Sequence, residues 1–372
     1  MSSNKKTSVV IVGGGIAGTA IARSLSGSLD ASKNEIILIS PHPYLVLLPA
    51  TLRMVVSDAD KLEETALVPL DRLFLKDNGT FVQGEVARID EPEREVELTN
   101  GEKVSFDILV LATGTKWGGP IALPNDSSQV QGFIEERRRE FKEAKDILLV
   151  GGGSVGIELA GELRDLSTDK KITIVHRDRM LLNSTYPDKM RNAMQEQLEK
   201  RNISLILNDS VNVSTPGPFE GTITTSGGKT LNPDFVVYTW GGRPNTDLIR
   251  ASLGEGVLTE TGLVKVKPTL QLEGRSNVFA VGDIVNWSEQ KTAMKALAHV
   301  AVVVKNIIDL LAGKPTMAVY KGSMEAIAVT NGKEQGVTYL PFLWGLVLKS
   351  WLTAMLKSRS LGIPTGRRSI GY

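Results

Sequence analysis

Two hydrophobic periods divide the chain. Residues 9–12 (VVIV) are an unbroken β-branched run that meets three glycines and passes into Ala-rich, helix-compatible sequence up to residue 24. The same order returns at 146–163, where ILLV leads into three glycines and a helical pattern carrying Glu158 and Glu162. Further apolar runs at 35–40 (EIILIS), 106–115 (FDILVLATGT), 172–176 (ITIVH), 235–245 (FVVYTWGGRPN) and 277–284 (NVFAVGDI) read as buried strands. Residues 81–89 and 95–98 read as strands too, with Asn100-Gly101 as a hairpin turn. Helical periodicity covers 291–311. Beyond Gly313 the pattern predicts a hairpin of 326–330 with 336–339 around Asn331-Gly332. Residues 340–356 then place Trp344, Val347, Leu348, Trp351, Leu352 and Met355 on one helical face; Lys349 interrupts a stretch already short for a membrane span.

Strands alternating with helices predict an α/β fold, and the return of one pattern predicts two Rossmann-like units. Gly13 and Gly151 stand 138 positions apart. In the first fingerprint, Gly13, Gly14, Gly15, Ile16, Ala17 and Gly18 supply the tight turn, the close backbone approach to a pyrophosphate and the close strand–helix packing. The helix that follows offers free N–H groups to phosphate. Gly151, Gly153 and Gly156 repeat the arrangement. The expected division is a first unit in two parts, 1–116 and 245–313, around a second at 117–244, with a small C-terminal region at 314–372.

The position after each second strand normally holds an acid for the ribose hydroxyls. Ser40 stands there in the first unit and His176 in the second, with Arg177 and Arg179 beside it. A missing carboxylate near cations predicts tolerance of NADPH as well as NADH. Arg53, beside an apolar stretch, reads either as a solvated helix end or as a cation near a pyrophosphate. Ala112, Thr113 and Gly114 end a strand where backbone approaches a ligand or crosses between units, and Gly241 ends another in the same way. Asp283 can accept hydrogen bonds from polyol hydroxyls or cap the next helix. Lys295 and His299 share a face at spacing i, i+4. They read as a cation favouring an anionic reduced flavin with a proton relay, or as an ordinary surface lysine and helix histidine.

Composition narrows the chemistry. There is no cysteine, so no disulfide framework, thiolate metal site or CxxC relay. Net charge is +1, which gives no electrostatic ground for nucleic acid as a partner. The first residues, MSSNKKTS, show no signal or transit pattern, and Ser at position 2 lacks the myristoylation signal. From 335 to 372 there is no acid, while Lys349, Lys357, Arg359, Arg367 and Arg368 are basic. An aromatic-aliphatic face with a cationic flank suits anionic lipid, or it packs on the enzyme or on a second copy.

GGGIAG, ATGT, GGGSVGIELAGEL, TWGGRPN and NVFAVGDI, in that order, resemble the flavoprotein oxidoreductases with two dinucleotide-binding domains. These include the pyridine nucleotide-disulphide reductases and type II NADH dehydrogenases. The chain is most similar to the ferroptosis suppressor and apoptosis-inducing-factor-like family, with QGEVARID (83–90), VYKG (319–322) and KSR (357–359) adding to the likeness. That resemblance implies FAD held by the first fingerprint with Arg53, Val86 and Asp283. It implies NADH or NADPH held by the second, with Glu158 at the nicotinamide–flavin contact. It further implies reduction of a quinone by a cytoplasmic protein peripheral on a membrane such as the mitochondrial outer membrane, a lipid droplet or the plasma membrane. Ferredoxin or monodehydroascorbate as acceptors, and a redox-sensing signalling role, are the competing implications.

Overall fold

The computed structural model describes residues 5–213, 215–342 and 345–372. β1 (Thr7–Val12) turns at Gly13 into α1 (Ile16–Ser28). Gly13 has φ +120°, and a side chain there would collide with the Ala112 carbonyl. β2 (Asn34–Ser40), α2 (Leu48–Val56) and β3 (Gly79–Gln83) follow. β4 (Ile108–Leu111) is fully apolar and buried, and β5 (Thr115–Lys116) leaves its end. After α3 (Ser127–Glu143) the pattern repeats as β6 (Asp146–Val150), α4 (Ser154–Leu166), β7 (Lys171–His176), β8 (Ile203–Leu207) and β9 (Phe235–Tyr238). β10 (Arg243–Pro244) then runs back to pair with β5, and β11 (Val278–Ala280) precedes α5 (Ala293–Leu311).

Two parallel sheets result. The first has the order β11–β4–β1–β2–β3, so a strand from residues 278–280 joins strands from the N-terminal part. The second has the order β8–β7–β6–β9, closed on the β9 side by antiparallel Gly217–Pro218. The β-branched runs explain both: Val9, Val10 and Ile11, like Ile147 and Leu149, are wholly buried between covering layers. One apolar core continues from Val9 and Leu38 through Ile134 and Leu149 to Val329 and Leu361.

Two expectations change. The predicted strand 81–89 is divided, because β3 stays in the first parallel sheet while Val86–Asp90 opens an antiparallel meander with Glu95–Leu98 and Lys103–Ser105. Gly84 is the break; a side chain there would press on Leu98. The tail differs more. β12 (Ile327–Thr330) and β13 (Gly336–Leu340) form the expected hairpin. The predicted helix over 340–356 is instead β14 (Leu346–Lys349), paired antiparallel with β13, followed by short helical turns at Trp351–Thr353 and Ala354–Ser358. A run of Leu and Val satisfies either period, and the free edge of β13 selects the strand. Trp344 lies outside the described residues. Among the described residues no helix is long and apolar enough to cross a membrane.

Candidate functional site

Two helix N-termini are built alike. α1 begins after Gly15 and α4 after Gly153, each without a side-chain cap and without an acid in its first turn. A Cβ added to Gly15 or Gly153 would meet nothing within 4 Å, so open space faces the uncapped N–H groups. α3, by contrast, is capped by Asp126, which accepts from Ser128 N at 2.9 Å. Uncapped N–H groups facing open space fit a pyrophosphate. Gly18 and Gly156 bring each helix down on its turn, where a side chain would strike the carbonyl of Gly13 or Gly151. Ile16 and Ala17 lie in the first turn of α1, and Ala17 is buried.

The strand-end residues pack beneath these turns. Ser40 is 5% exposed, and its Oγ would lie 2.5 Å from a Cβ on Gly14. His176 occupies the matching place under Gly152, whose N–H donates to His176 Nδ1 at 3.1 Å. Burial pushes the His176 imidazole down from its ordinary value. The expectation of cations without a carboxylate is corrected here. Asp178 lies 3.6 Å from His176 Nε2 and 3.9 Å from Arg177 Nε, while Arg179 faces Asp188 at 3.6 Å. Asp178 thus sets a carboxylate two positions beyond His176.

Between the sheets the two crossing segments lie side by side. Thr113 Oγ1 donates to Asn245 O at 2.5 Å, Asn245 N donates to Gly114 O at 2.9 Å, and Thr115 Oγ1 donates to Asp283 Oδ2 at 2.6 Å. Gly114 and Gly241 both face open space, and Ala112 is buried at the end of the strand. Asp283 makes no cap; its side chain is oriented by Thr115. Val86 sits, buried, at the bulge that starts the meander.

Lys295 and His299 are not on the surface. They are 2% and 1% exposed. The Lys295 ammonium lies between Glu325 at 2.5 Å and Glu289 at 4.0 Å, so its charge is met by carboxylates rather than offered outward. His299 Nδ1 accepts the Gly282 N–H at 3.1 Å. One ring nitrogen is thus occupied, and burial holds the imidazole below its ordinary value. This geometry makes His299 a clamp on the Gly282–Asp283 turn, with Nε2 turned toward Glu289 Oε1 at 3.2 Å.

Arg53 is buried, so it is not a solvated helix end. Its Nε and Nη2 bind Glu162 at 2.8 and 2.9 Å, and Nη2 also donates to Ser358 O at 2.8 Å. The pair is buried, joining α2 to α4 and the tail, and Nη1 has no hydrogen-bond partner among the described residues. Glu158, one turn earlier on α4, accepts from Thr330 N at 3.0 Å and from Lys357 Nζ at 2.7 Å. Lys357 is the residue that sequence reasoning missed as part of the site. The cue available was the acid series Glu158, Glu162 and Asp165 on one face of α4, which demands cations; nothing local names a partner 199 residues away.

The fold and paired turns define a class: a two-dinucleotide oxidoreductase with a discontinuous first unit. Residues 7–303 match the family described as pyridine nucleotide-disulphide oxidoreductase. The chain belongs to that family of FAD-dependent oxidoreductases, members of which use NADH or NADPH. Among its relatives, FAD-dependent oxidoreductase FVFD30 of Flammulina velutipes is 44% identical over 86% of this chain and 99% of its own length. Apoptosis-inducing factor homolog B of Dictyostelium discoideum is 31% identical over 98% of this chain and 96% of its own. Ferroptosis suppressor protein 1 of Taeniopygia guttata is 29% identical over 100% and 98%. Among solved structures, the sulfide:quinone oxidoreductase of Aquifex aeolicus superposes with a TM-score of 0.76 at 18% identity, covering 98% of this chain and 92% of that one. The NDH2 of Plasmodium falciparum, solved with NADH, gives 0.74 at 16% identity, with 98% of each covered.

Proposed function

We propose that this chain is an FAD-dependent NAD(P)H:quinone oxidoreductase working at a membrane surface. One observation carries the reading. Two uncapped glycine-turn helix N-termini face open space in one chain, and the β5–β10 crossing between their sheets leads to Asp283.

The first turn, Gly13 to Gly18, would hold the FAD pyrophosphate, with Ser40 near the adenosine ribose and Asp283 taking ribityl hydroxyls. Gly151, Gly153 and Gly156 would hold NADH or NADPH. When bound, the flavin supplies hydride acceptance and two-electron transfer, while the protein supplies orientation and electrostatics. Thr115 fixes the Asp283 carboxylate, and His299 fixes the backbone before it. Lys357 and Thr330 N hold Glu158 in the second turn of α4, where a carboxylate can orient the carboxamide of the nucleotide. Under this reading the units are 1–116 with 245–313, 117–244, and the tail 314–372.

A quinone acceptor is supported by the chemistry named for similar structures and by the absence of any cysteine for a disulfide relay. Membrane contact is supported by Phe342, Trp351, Met355 and Leu356, all 46% exposed or more on the tail. The cationic flank is weaker than its residues imply, because Lys349, Lys357 and Arg359 face Glu196, Glu158 and Glu334.

An anaerobic absorbance spectrum tests the reading. A flavin spectrum should bleach with NADH and return with a short-chain ubiquinone; bleaching without return would remove the quinone. Glu158→Gln should lower kcat/KM by about tenfold or more with flavin content unchanged. Unaltered kinetics would remove the role given to Glu158.

A further inference from the structure

A cluster of opposed charges is buried where α5 begins. Lys295 and the Glu289 side chain are 2% and 3% exposed, while Glu325, on the returning segment 314–326, stays 30% exposed and opens toward solvent. Tyr320 donates its hydroxyl to Glu289 Oε2 at 2.7 Å, and His299 Nε2 faces Glu289 Oε1 at 3.2 Å. Two carboxylates therefore share one ammonium.

The surrounding charges do not remove the imbalance. Lys291 is within electrostatic reach of Glu289, Asp283 and Glu325, with its Nζ bound to the carbonyls of Val285 and Trp287, so three carboxylates (Glu289, Glu325 and Asp283) still face two ammoniums (Lys295 and Lys291). Burial pushes the His299 imidazole down from its ordinary value. The remaining neighbours are phenols: burial and then Glu289 push Tyr320 up, and burial and then Glu325 push Tyr186 up to about 12. The polar atoms are also under-satisfied. Glu289 Oε1, Lys295 Nζ, His299 Nε2 and Glu325 Oε2 make no hydrogen bond of good geometry among the described residues. The short Lys295–Glu325 contact is off-angle. An uncompensated buried charge is costly, and proton uptake relieves it.

The cluster borders the first dinucleotide turn. A Cβ on Gly282 would lie 3.7 Å from the Ala17 methyl of α1 and 3.9 Å from the Ala296 methyl, one residue along from Lys295. His299 ties that same glycine to the cluster.

We propose that the Glu289–Lys295–Glu325 cluster takes up one solvent proton when the adjoining dinucleotide site gains negative charge, and releases it when that charge leaves. The inference rests on the flavoprotein reading above. In NAD(P)H + H⁺ + quinone → NAD(P)⁺ + quinol, the hydride carries two electrons and one proton. The second proton enters from solvent by way of Glu325, forming a carboxyl O–H bond in the cluster. That bond breaks as the quinone receives two electrons and two protons and becomes the quinol.

The holoenzyme tests this without any quinone. Reductive titration with dithionite gives the pH dependence of the midpoint potential, and redox-difference infrared spectra report carboxylic acid formation. The expected result is two protons per two electrons around neutral pH, with a carboxylic acid carbonyl band on reduction. Glu289→Gln keeps the size and the Tyr320 contact but removes the excess charge; it should take up one proton and lose the band. A folded, FAD-loaded Glu289→Gln with two protons and the same band would overturn the proposal. So would a lower melting temperature with an unchanged proton count, which marks a structural latch. If Glu289→Gln does not fold, Glu325→Gln on the part-exposed carboxylate decides by the same two readouts. Failure of ubiquinone to reoxidise the protein would remove the quinone reading while leaving this count intact; absence of bound FAD would overturn both.

Discussion

His176 and His299 each accept a backbone N–H through Nδ1, from Gly152 and Gly282, and burial lowers the affinity of both rings for a proton. In the unfolded chain they titrate near 6.5. Below that pH the unfolded state binds protons that the folded state refuses, so stability is lost as pH falls, at up to about 1.4 kcal/mol per pH unit for each ring. Thermal melts from neutral to mildly acidic pH should show this loss, and the double variant His176→Asn/His299→Asn should flatten it. An equally steep loss in the variant would assign it to other groups. At this scale, sequence alone identified the glycine turns, because a turn is specified by neighbouring residues. It also placed Lys295 and His299 on one face of a helix. It did not reveal that Glu289 and Glu325 meet them, since a loop and a returning segment bring those carboxylates in.

At the scale of elements, the hairpin β12–β13 and the helix α4 touch through backbone. Gly161 faces Asn331 and Gly332 so closely that a Cβ would overlap the Gly332 nitrogen, and Arg201 donates to Asn331 O from the other side. Gly161→Ala should therefore destabilise by about 1–3 kcal/mol, as overpacking against a backbone that cannot yield does. It should also loosen Thr330 N from Glu158, which lies on the same helix face. Denaturant unfolding measures the first effect, and faster proteolysis within 327–340 reports the second. A variant as stable as the parent would mean the hairpin shifts freely. Asn331-Gly332 announced this hairpin because its turn chemistry is local. β14 was hidden because its Leu-Val run fits a helix and a strand equally, and pairing with β13 decided between them.

At the scale of the whole molecule, the duplication was legible because each copy carries its own fingerprint, but the ties between copies were not. Arg53, Glu162 and Ser358 come from three distant stretches, and no periodicity links them. The same turn that sends Ser358 O to Arg53 and Lys357 to Glu158 leaves Met355 and Leu356 exposed, with Trp351 64% exposed just before it. Apolar side chains of this size left together in water mark a contact surface, and an aromatic with two long aliphatics suits the interface of a bilayer. Because Lys357 and Arg359 are engaged by Glu158 and Glu334, attraction to lipid should depend more on apolar area than on charge. Trp351→Ser/Met355→Ser/Leu356→Ser should reduce co-sedimentation with anionic vesicles by about tenfold, at roughly 25 cal/mol per Å2 of apolar area no longer buried, and added salt should change binding by less. Unchanged vesicle binding, together with a shift from dimer to monomer on sizing, would reassign the surface to a second copy of the chain.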